Sequence, residues 1–344
     1  MKRCPRILIP IVPALLLHVA FAAGLLHAGG LESITISAPG PHNISYLPID
    51  LIVRIGADRE EGCAVRLLPT GGGAVALSNL VQKNVDFAVA GVPAAMSLKS
   101  HGGDVVVILP INDAPLFVLM VRAELRDEIK GIADLKGRVL GVNTSTRSSK
   151  TTSQQLVELL LRSAGVPVDT VRIVPAGQSW EEQSSLILSA SVDAVMGDEP
   201  FASRLLEMGK VYFLAHLALP ESVRGIPGSR FLHAALETRS DVIAEQPEKV
   251  AKVVRMIRKS LAWIASHSAT ELVEKLAITD VDERRSLILA LERYPAAFSP
   301  DGRFSTAQLR ETALFFQSGN DRDLPNPVFE LDSLIDDRWA GRGP

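Results

Sequence analysis

The sequence predicts an α/β protein built as two similar lobes, each a mostly parallel sheet flanked by helices. Three observations predict it. Asn84-Val85-Asp86-Phe87-Ala88-Val89-Ala90-Gly91 and Ser191-Val192-Asp193-Ala194-Val195-Met196-Gly197-Asp198 nearly repeat each other. Each reads as a turn running into a short buried strand behind a helix. Upstream of each lies a loop that opens a helix, Thr70-Gly71-Gly72-Gly73 in the first half and Thr144-Ser145-Thr146-Arg147-Ser148-Ser149 in the second. Strand and helix patterns also alternate along most of the chain. That alternation implies parallel sheets, whose ligand sites lie at the carboxyl ends of the strands. Both loops fall at such ends, where backbone N–H groups at a helix start hold anions or polar atoms without catalytic side chains. The expectation is a small solute held between two lobes.

The elements follow in order. Ser33–Ser37 alternates polar and apolar residues as a half-buried strand does. Ala38-Pro39-Gly40-Pro41-His42-Asn43 is a loop. Leu47–Gly56 is a helix with Ile49, Ile52, Val53 and Gly56 toward a core. Val65–Leu68 is a strand, and Ala74–Gln82 a helix with Leu77, Leu80 and Val81 at helical spacing. Phe87–Ala90 is a strand, broken by Pro93 before a short helix near Met96. Val105–Leu109, apolar throughout, suits a strand covered on both faces. Strands at Leu116–Val121 and Val139–Val142 flank a helical turn over Ile132–Gly137. Ser153–Ser163 is a helix stopped by Gly165. Val171–Val174 is a strand, and Ser179-Trp180-Glu181-Glu182 is a capping box opening the next helix. Strands at Val192–Met196 and Val211–Leu214 complete the second half. A last strand near Leu232–Glu237 leads into helices that start at Pro247 and continue around 271–278, 283–292 and 306–316. From Gly319 the chain is polar and expected to wrap the surface.

The 344 residues are enough for two lobes, and 47% hydrophobic with 22% charged residues is ordinary for a globular chain. The start differs from the rest. Lys2, Arg3 and Arg6 precede an apolar run from Ile7 to Leu26, and the first acidic residue is Glu32. This is the layout of a secretory signal over 1–28, cleaved after Ala22 or Ala28; a retained membrane anchor is the alternative. Removing 1–28 takes away Lys2, Arg3 and Arg6 and no acid, which moves the formal charge from −3 to −6. A mildly acidic chain with 5% aromatic residues is a poor general binder of nucleic acid. Cys63 is then the only cysteine, which excludes an intrachain disulfide and points to a small core residue. The mature histidines lack metal-ligand spacing, and neither a metal nor a cofactor is expected.

Thr70, Gly71, Gly72 and Gly73 carry an entropic cost that close approach of a ligand to helix-start amides would explain; a tight strand-to-helix turn is the other explanation. Thr144, Ser145, Thr146 and Arg147 combine hydroxyls with a guanidinium and suit a carboxylate, sulfonate or phosphate, unless Arg147 points outward. Gly91 and Val92 end the first repeat strand and are further contact candidates. Asp198 and Glu199 follow the second repeat. At a cleft they would favour a solute with an amino or hydroxyl group over a bare anion; otherwise they pair with a cation or cap the helix after Pro200.

The order of these pieces carries a likeness. Gly131-Ile132-Ala133-Asp134-Leu135-Lys136-Gly137-Arg138-Val139-Leu140-Gly141-Val142, the two Val-Asp repeats, Glu199-Pro200 and the helix after Gln246-Pro247-Glu248 resemble the substrate-binding proteins of ABC importers of the nitrate/sulfonate/taurine type. The likeness runs over about 33–320. It implies a two-lobed, type II periplasmic-binding-protein fold with two hinge crossings, near Leu109–Pro115 and Gly228–Leu232. The first lobe would be 29–112, the second 113–228, with 229–344 returning to the first. It also implies ligand contact from the loop holding His42, Asn43 and Ser45, with Tyr46 either against the ligand or packed on the first helix. No catalytic residue is implied. The expected partners are a small-molecule solute and an inner-membrane ABC permease, met by a periplasmic monomer. Arg59-Glu60-Glu61-Gly62-Cys63 departs from the family's pattern and leaves the substrate open. Two rivals remain: a ligand-sensing module of a membrane-bound regulator, and a thiamine-pyrimidine-synthase-like enzyme, which would need a cysteine cluster.

Overall fold

The computed structural model describes residues 30–219, 221–222, 224–319 and 330–343; the expected signal over 1–28 lies outside them. Two five-stranded sheets organise the described chain. The first half contributes β1 (Glu32–Pro39), α1 (Leu47–Arg54), α2 (Ala57–Glu60), β2 (Cys63–Thr70), α3 (Gly73–Val81), β3 (Phe87–Gly91), α4 (Val92–Ser100) and β4 (Val106–Pro110). The chain then crosses to β5 (Phe117–Arg122), β6 (Val139–Val142), α5 (Thr152–Ser163), β7 (Arg172–Pro175), α6 (Trp180–Leu188), β8 (Ala194–Asp198), α7 (Phe201–Glu207) and β9 (Val211–His216). It returns as β10 (Ala234–Thr238), followed by α8 (Ser240–Glu245), α9 (Pro247–Ser266), α10 (Ala269–Lys275), α11 (Val281–Arg293) and α12 (Thr306–Gly319).

The sheet orders match: β2-β1-β3-β10-β4 and β7-β6-β8-β5-β9. β1 runs parallel to β2 and β3, and β6 parallel to β7 and β8. The expectation of mostly parallel sheets needs one refinement. β10 is antiparallel to both its neighbours, and so is β5. Each is the strand on which the chain arrives from the other sheet, so each enters its sheet reversed. The remaining four strands of each sheet share one direction.

Strands at the sheet centres read as unbroken small or apolar runs because both faces are covered. β3 (Phe-Ala-Val-Ala-Gly) and β8 (Ala-Val-Met-Gly-Asp) are buried throughout. One apolar core surrounds the first sheet and includes Ile36, Leu77, Phe87, Leu236 and Ile257. Two cores cover the faces of the second sheet, one around Leu119, Leu140 and Leu156, the other around Val118, Met120 and Val195. Cys63 is buried, and burial pushes its thiol pKa up, as a core residue requires. One local expectation fails. Val53 is 44% exposed on the outer face of α1. Pro93 follows the end of β3 as expected and sits in the first turn of α4, where its missing N–H has no partner to lose.

α12 lies across both lobes. Phe316 and Leu309 join the first core, while Phe315 stacks on Phe231 at 4.3 Å between ring centres in the second. Gly228, at φ +65°, packs against the α12 backbone so closely that a Cβ would overlap Glu311 and Phe315. The N–H of Leu232 donates to Thr312 Oγ1 at 2.8 Å. The return crossing is therefore seated on one helix. The C-terminal segment covers a sheet edge: Val107 of β4 donates its N–H to Leu334 and accepts from Asp336.

Candidate functional site

The carboxyl ends of the parallel strands in both sheets face each other, and the loops they carry meet. A small cavity of about 10 Å³ lies there, which is room for about one water. Its wall is Tyr46, Gly73, Gly91, Ala94, Phe117, Asn143, Thr151, Thr152, Gln178 and His233. Local sequence explains each placement. Gly91 ends β3 immediately before α4, and Gly73 opens α3. Thr151 caps α5 by accepting the Gln154 N–H. Gln178 precedes the Ser179 capping box of α6, which forms as expected. His233 stands just before β10, on the return crossing.

The wall holds polar atoms without partners. Asn143 Oδ1, Thr152 Oγ1, Gln178 Oε1 and both ring nitrogens of His233 are buried and unbonded among the described residues. Each such atom costs about 1–3 kcal/mol when left so, so five converging on one cavity is the pattern of a site awaiting an occupant. They come from both lobes. His233 is ringed by aromatics: Phe117 at 4.6 Å and Tyr46 and Phe231 at 6.2 Å, all edge-on. Burial pushes its pKa down to about 3, so the ring is neutral at neutral pH.

One carboxyl sits behind this wall. Asp198 is 1% exposed and accepts from Gln178 Nε2 at 3.4 Å and Gln183 Nε2 at 3.2 Å. Burial pushes it up to about 7, against the opposing pull of the amides of Gln183, Asn43, Asn143 and Gln178. Tyr46 is pushed well above its ordinary value, first by burial and then by the charge of Asp198.

The expected contact residues divide sharply. Tyr46, Gly73 and Gly91 line the cavity, while Asn43 and Asp198 form the layer behind it. Thr70, Gly71, Gly72 and Thr144 do something else. Gly71 accepts the Thr144 N–H at 3.1 Å, and a Cβ on Gly72 would meet the Thr144 backbone at 2.9 and 3.0 Å. These glycines admit the opposite lobe, not a solute. Thr70 bonds to the Gly72 carbonyl. Ser145 is held by Gln154 and Thr151, and Thr146 by Ser149. Arg147 is exposed and outside the wall. Val92 packs in the core, its N–H donated to His233 O. Ser45 is the residue that the Asn43 side chain caps. His42 pairs with Glu283 at 2.8 Å at the rim. Glu199 accepts from Ser203 and bonds His216 at 3.0 Å, which fits the capping alternative.

Direct bonds join the lobes around the cavity. Ser149 donates to Ala94 O, Lys150 N–H to Ser97 Oγ, and Gln155 Nε2 to Pro93 O, all within 3.0 Å. On the far side Arg204 meets Asp280 at 3.5 Å, and Tyr294 bonds His216 at 2.6 Å.

A family model described as NMT1/THI5 like matches residues 59–270. The chain belongs to the NMT1/THI5-like family. No curated protein matches it in sequence. A solved structure from Bordetella bronchiseptica RB50 is 20% identical with a TM-score of 0.80, covering 90% of this chain and 95% of that one. The alkanesulfonate-binding protein SsuA from Xanthomonas axonopodis pv. citri, bound to MOPS, is 15% identical with a TM-score of 0.66 over 89% and 98% of the two chains. The desulfurization enzyme DSZB is 16% identical with a TM-score of 0.56 over 90% and 97%. These likenesses establish the two-lobed periplasmic-binding-protein fold. The same fold carries both binding proteins and an enzyme.

Sequence reading missed Phe117, Asn143, Thr151, Thr152, Gln178 and His233 in this NMT1/THI5-like chain. Asn143 and Thr151–Thr152 flank the Ser/Thr loop that drew attention, so the signal was close but one turn off. Gln178 precedes a recognised capping box. His233 had no signal in sequence, since a lone histidine reads as a core residue until the return crossing places it. Among the described residues no cluster of His, Cys, Asp or Glu could hold a metal ion. No helix there is long and apolar enough to cross a membrane.

Proposed function

We propose that this chain captures a small solute between its lobes in the periplasm, as a monomer, and delivers it to an inner-membrane ABC permease. The observation that carries the reading is the cavity between the lobes whose wall residues hold unpartnered buried polar atoms from both lobes. Membership in the NMT1/THI5-like family and the alkanesulfonate-binding protein of the same fold support it. Bonds such as Ser149 to Ala94 join the lobes only when they are together. A solute touching both lobes would hold that arrangement, and the joined form is the one a permease can distinguish from the open one. Asn43, Tyr46, Gly73, Gly91 and Asp198 are the expected contact or supporting residues that this reading retains.

The test combines calorimetry and small-angle scattering. A panel of sulfonates, nitrate, amino-acid-like solutes and pyrimidines is titrated, and the solute is then recovered and weighed by mass spectrometry. Binding with compaction and an unchanged solute supports capture. A chemically altered solute shows turnover and overturns it.

A further inference from the structure

The cavity wall also bears on what kind of solute enters it. Three helix starts face the space, at Gly73, at Gly91–Val92 and at Thr151–Thr152. Taken alone they would suit an anion. The side chains argue the other way. None of the ten wall residues is Lys or Arg. Arg147 is exposed and elsewhere. His233 is neutral, because burial holds its pKa near 3. A carboxyl stands directly behind the wall: Asp198 accepts from the Nε2 of Gln178, itself a wall residue.

That bond also fixes which way Gln178 points. A carboxamide has one donor end and one acceptor end. With Nε2 committed to Asp198, Oε1 is the end left over, and it is buried and unpartnered. Asn143 Oδ1 is unpartnered beside it, and so is the Thr152 hydroxyl oxygen. The wall therefore offers two amide oxygens that can only accept, a Thr152 hydroxyl that can accept or donate, and no positive charge. An oxyanion brought here would place its oxygens against carbonyl oxygens, with a carboxyl one layer behind. Tyr46, Phe117 and His233 line the same space.

The geometry points to a solute that carries hydrogen-bond donors and is neutral or cationic, not a sulfonate or nitrate, as the one this wall meets when the lobes part to admit it, since the joined form leaves room for about one water. The inference rests on the solute-capture reading and deepens it. Donor groups of the solute meet Gln178 Oε1 and Asn143 Oδ1, and the imidazole of His233 supplies one further donor and one acceptor.

Calorimetry on the full mature chain at pH 7.5 separates the cases. One arm uses nitrate and ethanesulfonate; the other uses guanidinium, benzamidine and cytosine. The expected result is at least one donor-arm Kd tenfold or more below both anion Kd values. Gln178→Leu is expected to weaken that binding about tenfold. Thr152→Val, which keeps the side-chain shape, is expected to weaken it severalfold and guards against a Gln178→Leu chain that fails to fold. An anion that binds as tightly as the donor arm, or a donor probe untouched by both substitutions, overturns the inference and leaves solute capture standing. Failure of every probe to bind or to raise the melting temperature counts against solute capture itself.

Discussion

The two near-repeats occupy the same place in the two sheets, yet they end differently. In both, the Val-Asp aspartate precedes the central strand and pairs with an arginine at the end of the reversed strand beside it. Asp86 meets Arg239 after β10 at 3.3 Å, and Asp193 meets Arg122 of β5 at 3.4 Å. That shared pair is scaffold. At the far end, β3 finishes in Gly91 and β8 in Asp198. Gly91 gives bare backbone against which Thr152 and His233 close. Asp198 gives a buried carboxyl that orders a layer of amides. The duplicated architecture supplies the frame, and the difference at the strand ends supplies the chemistry.

The scaffold half of this comparison breaks most severely at Arg239. Its guanidinium is buried, bonding the carbonyls of Leu80 and Val85 as well as Asp86 and Asp241. Arg239→Ala removes four buried or half-buried bonds, though Leu80 O keeps the Lys83 N–H, Asp86 keeps Lys249 and Asp241 keeps Lys83, and it is expected to cost about 2–3 kcal/mol. Arg122 bonds Asp193 but leaves its Nε unpartnered, and Asp193 already accepts from the Val139 N–H. Arg122→Ala is expected to cost about 1 kcal/mol. Urea unfolding of the two variants measures the gap; equal losses would show that the two pairs are not unequal in strength.

The strand-end half breaks at Gly91. A Cβ there would overlap Thr152 Oγ1 from the opposite lobe. The backbone at Gly91, with φ −75° and ψ 132°, accepts any residue; the severe overlap arises when the lobes meet, while the His233 ring of the same sheet, at 3.0 and 3.1 Å, has only to give slightly. Gly91→Ala is expected to fold, to hold the lobes apart in small-angle scattering, and to weaken solute binding about a hundredfold. A variant that still compacts with solute would remove the glycine's role in lobe contact.

Alternation of strand and helix, the capping box at Ser179 and the apolar run of β4 were legible because they depend on neighbours in sequence. The reversal of β5 and β10 was not, since a strand's direction depends on which sheet the chain has just left. The glycines of 71–72 drew attention as a place where a ligand would come close to the backbone. What approaches is Thr144 of the other lobe, a fact that only tertiary structure holds. Arg147 drew attention by its charge and proved exposed, while Gln178 and His233, unremarkable in sequence, reach the cavity.

Asp198 sharpens the comparison through pH. Its folded pKa, about 7, lies above its unfolded value near 4. Between those values the folded state binds the extra proton, so stability falls as pH rises from 4 to 7 and levels off above. His233 acts oppositely: its depressed pKa makes the fold lose stability as pH falls below about 6.5. Glu237, also raised by burial, acts with Asp198. Comparing Asp198→Asn with the parent chain cancels the other two. The variant is expected to show a flatter melting-temperature profile between pH 5 and 8, with the parent losing a few degrees more on going up. Parallel profiles would mean that Asp198 is ionised throughout and that the amide layer, not burial, governs it.

The smallest effect belongs to the rim, which has no counterpart in the second repeat. His42 is raised above its ordinary pKa, chiefly by its bond to Glu283. A raised histidine stabilises the fold below about pH 6.5 and loses that contribution as pH rises through the folded pKa. The pair is partly exposed, 30% and 20% at the two side chains, so solvent screens it. Glu283→Gln is expected to cost under about 1 kcal/mol at pH 6, nothing measurable at pH 9, and to leave solute affinity unchanged, since neither residue touches the cavity wall. Urea unfolding at the two pH values checks the first part and calorimetry the second. A loss of affinity in this variant would extend the binding surface outward to the rim and draw His42 back into the site.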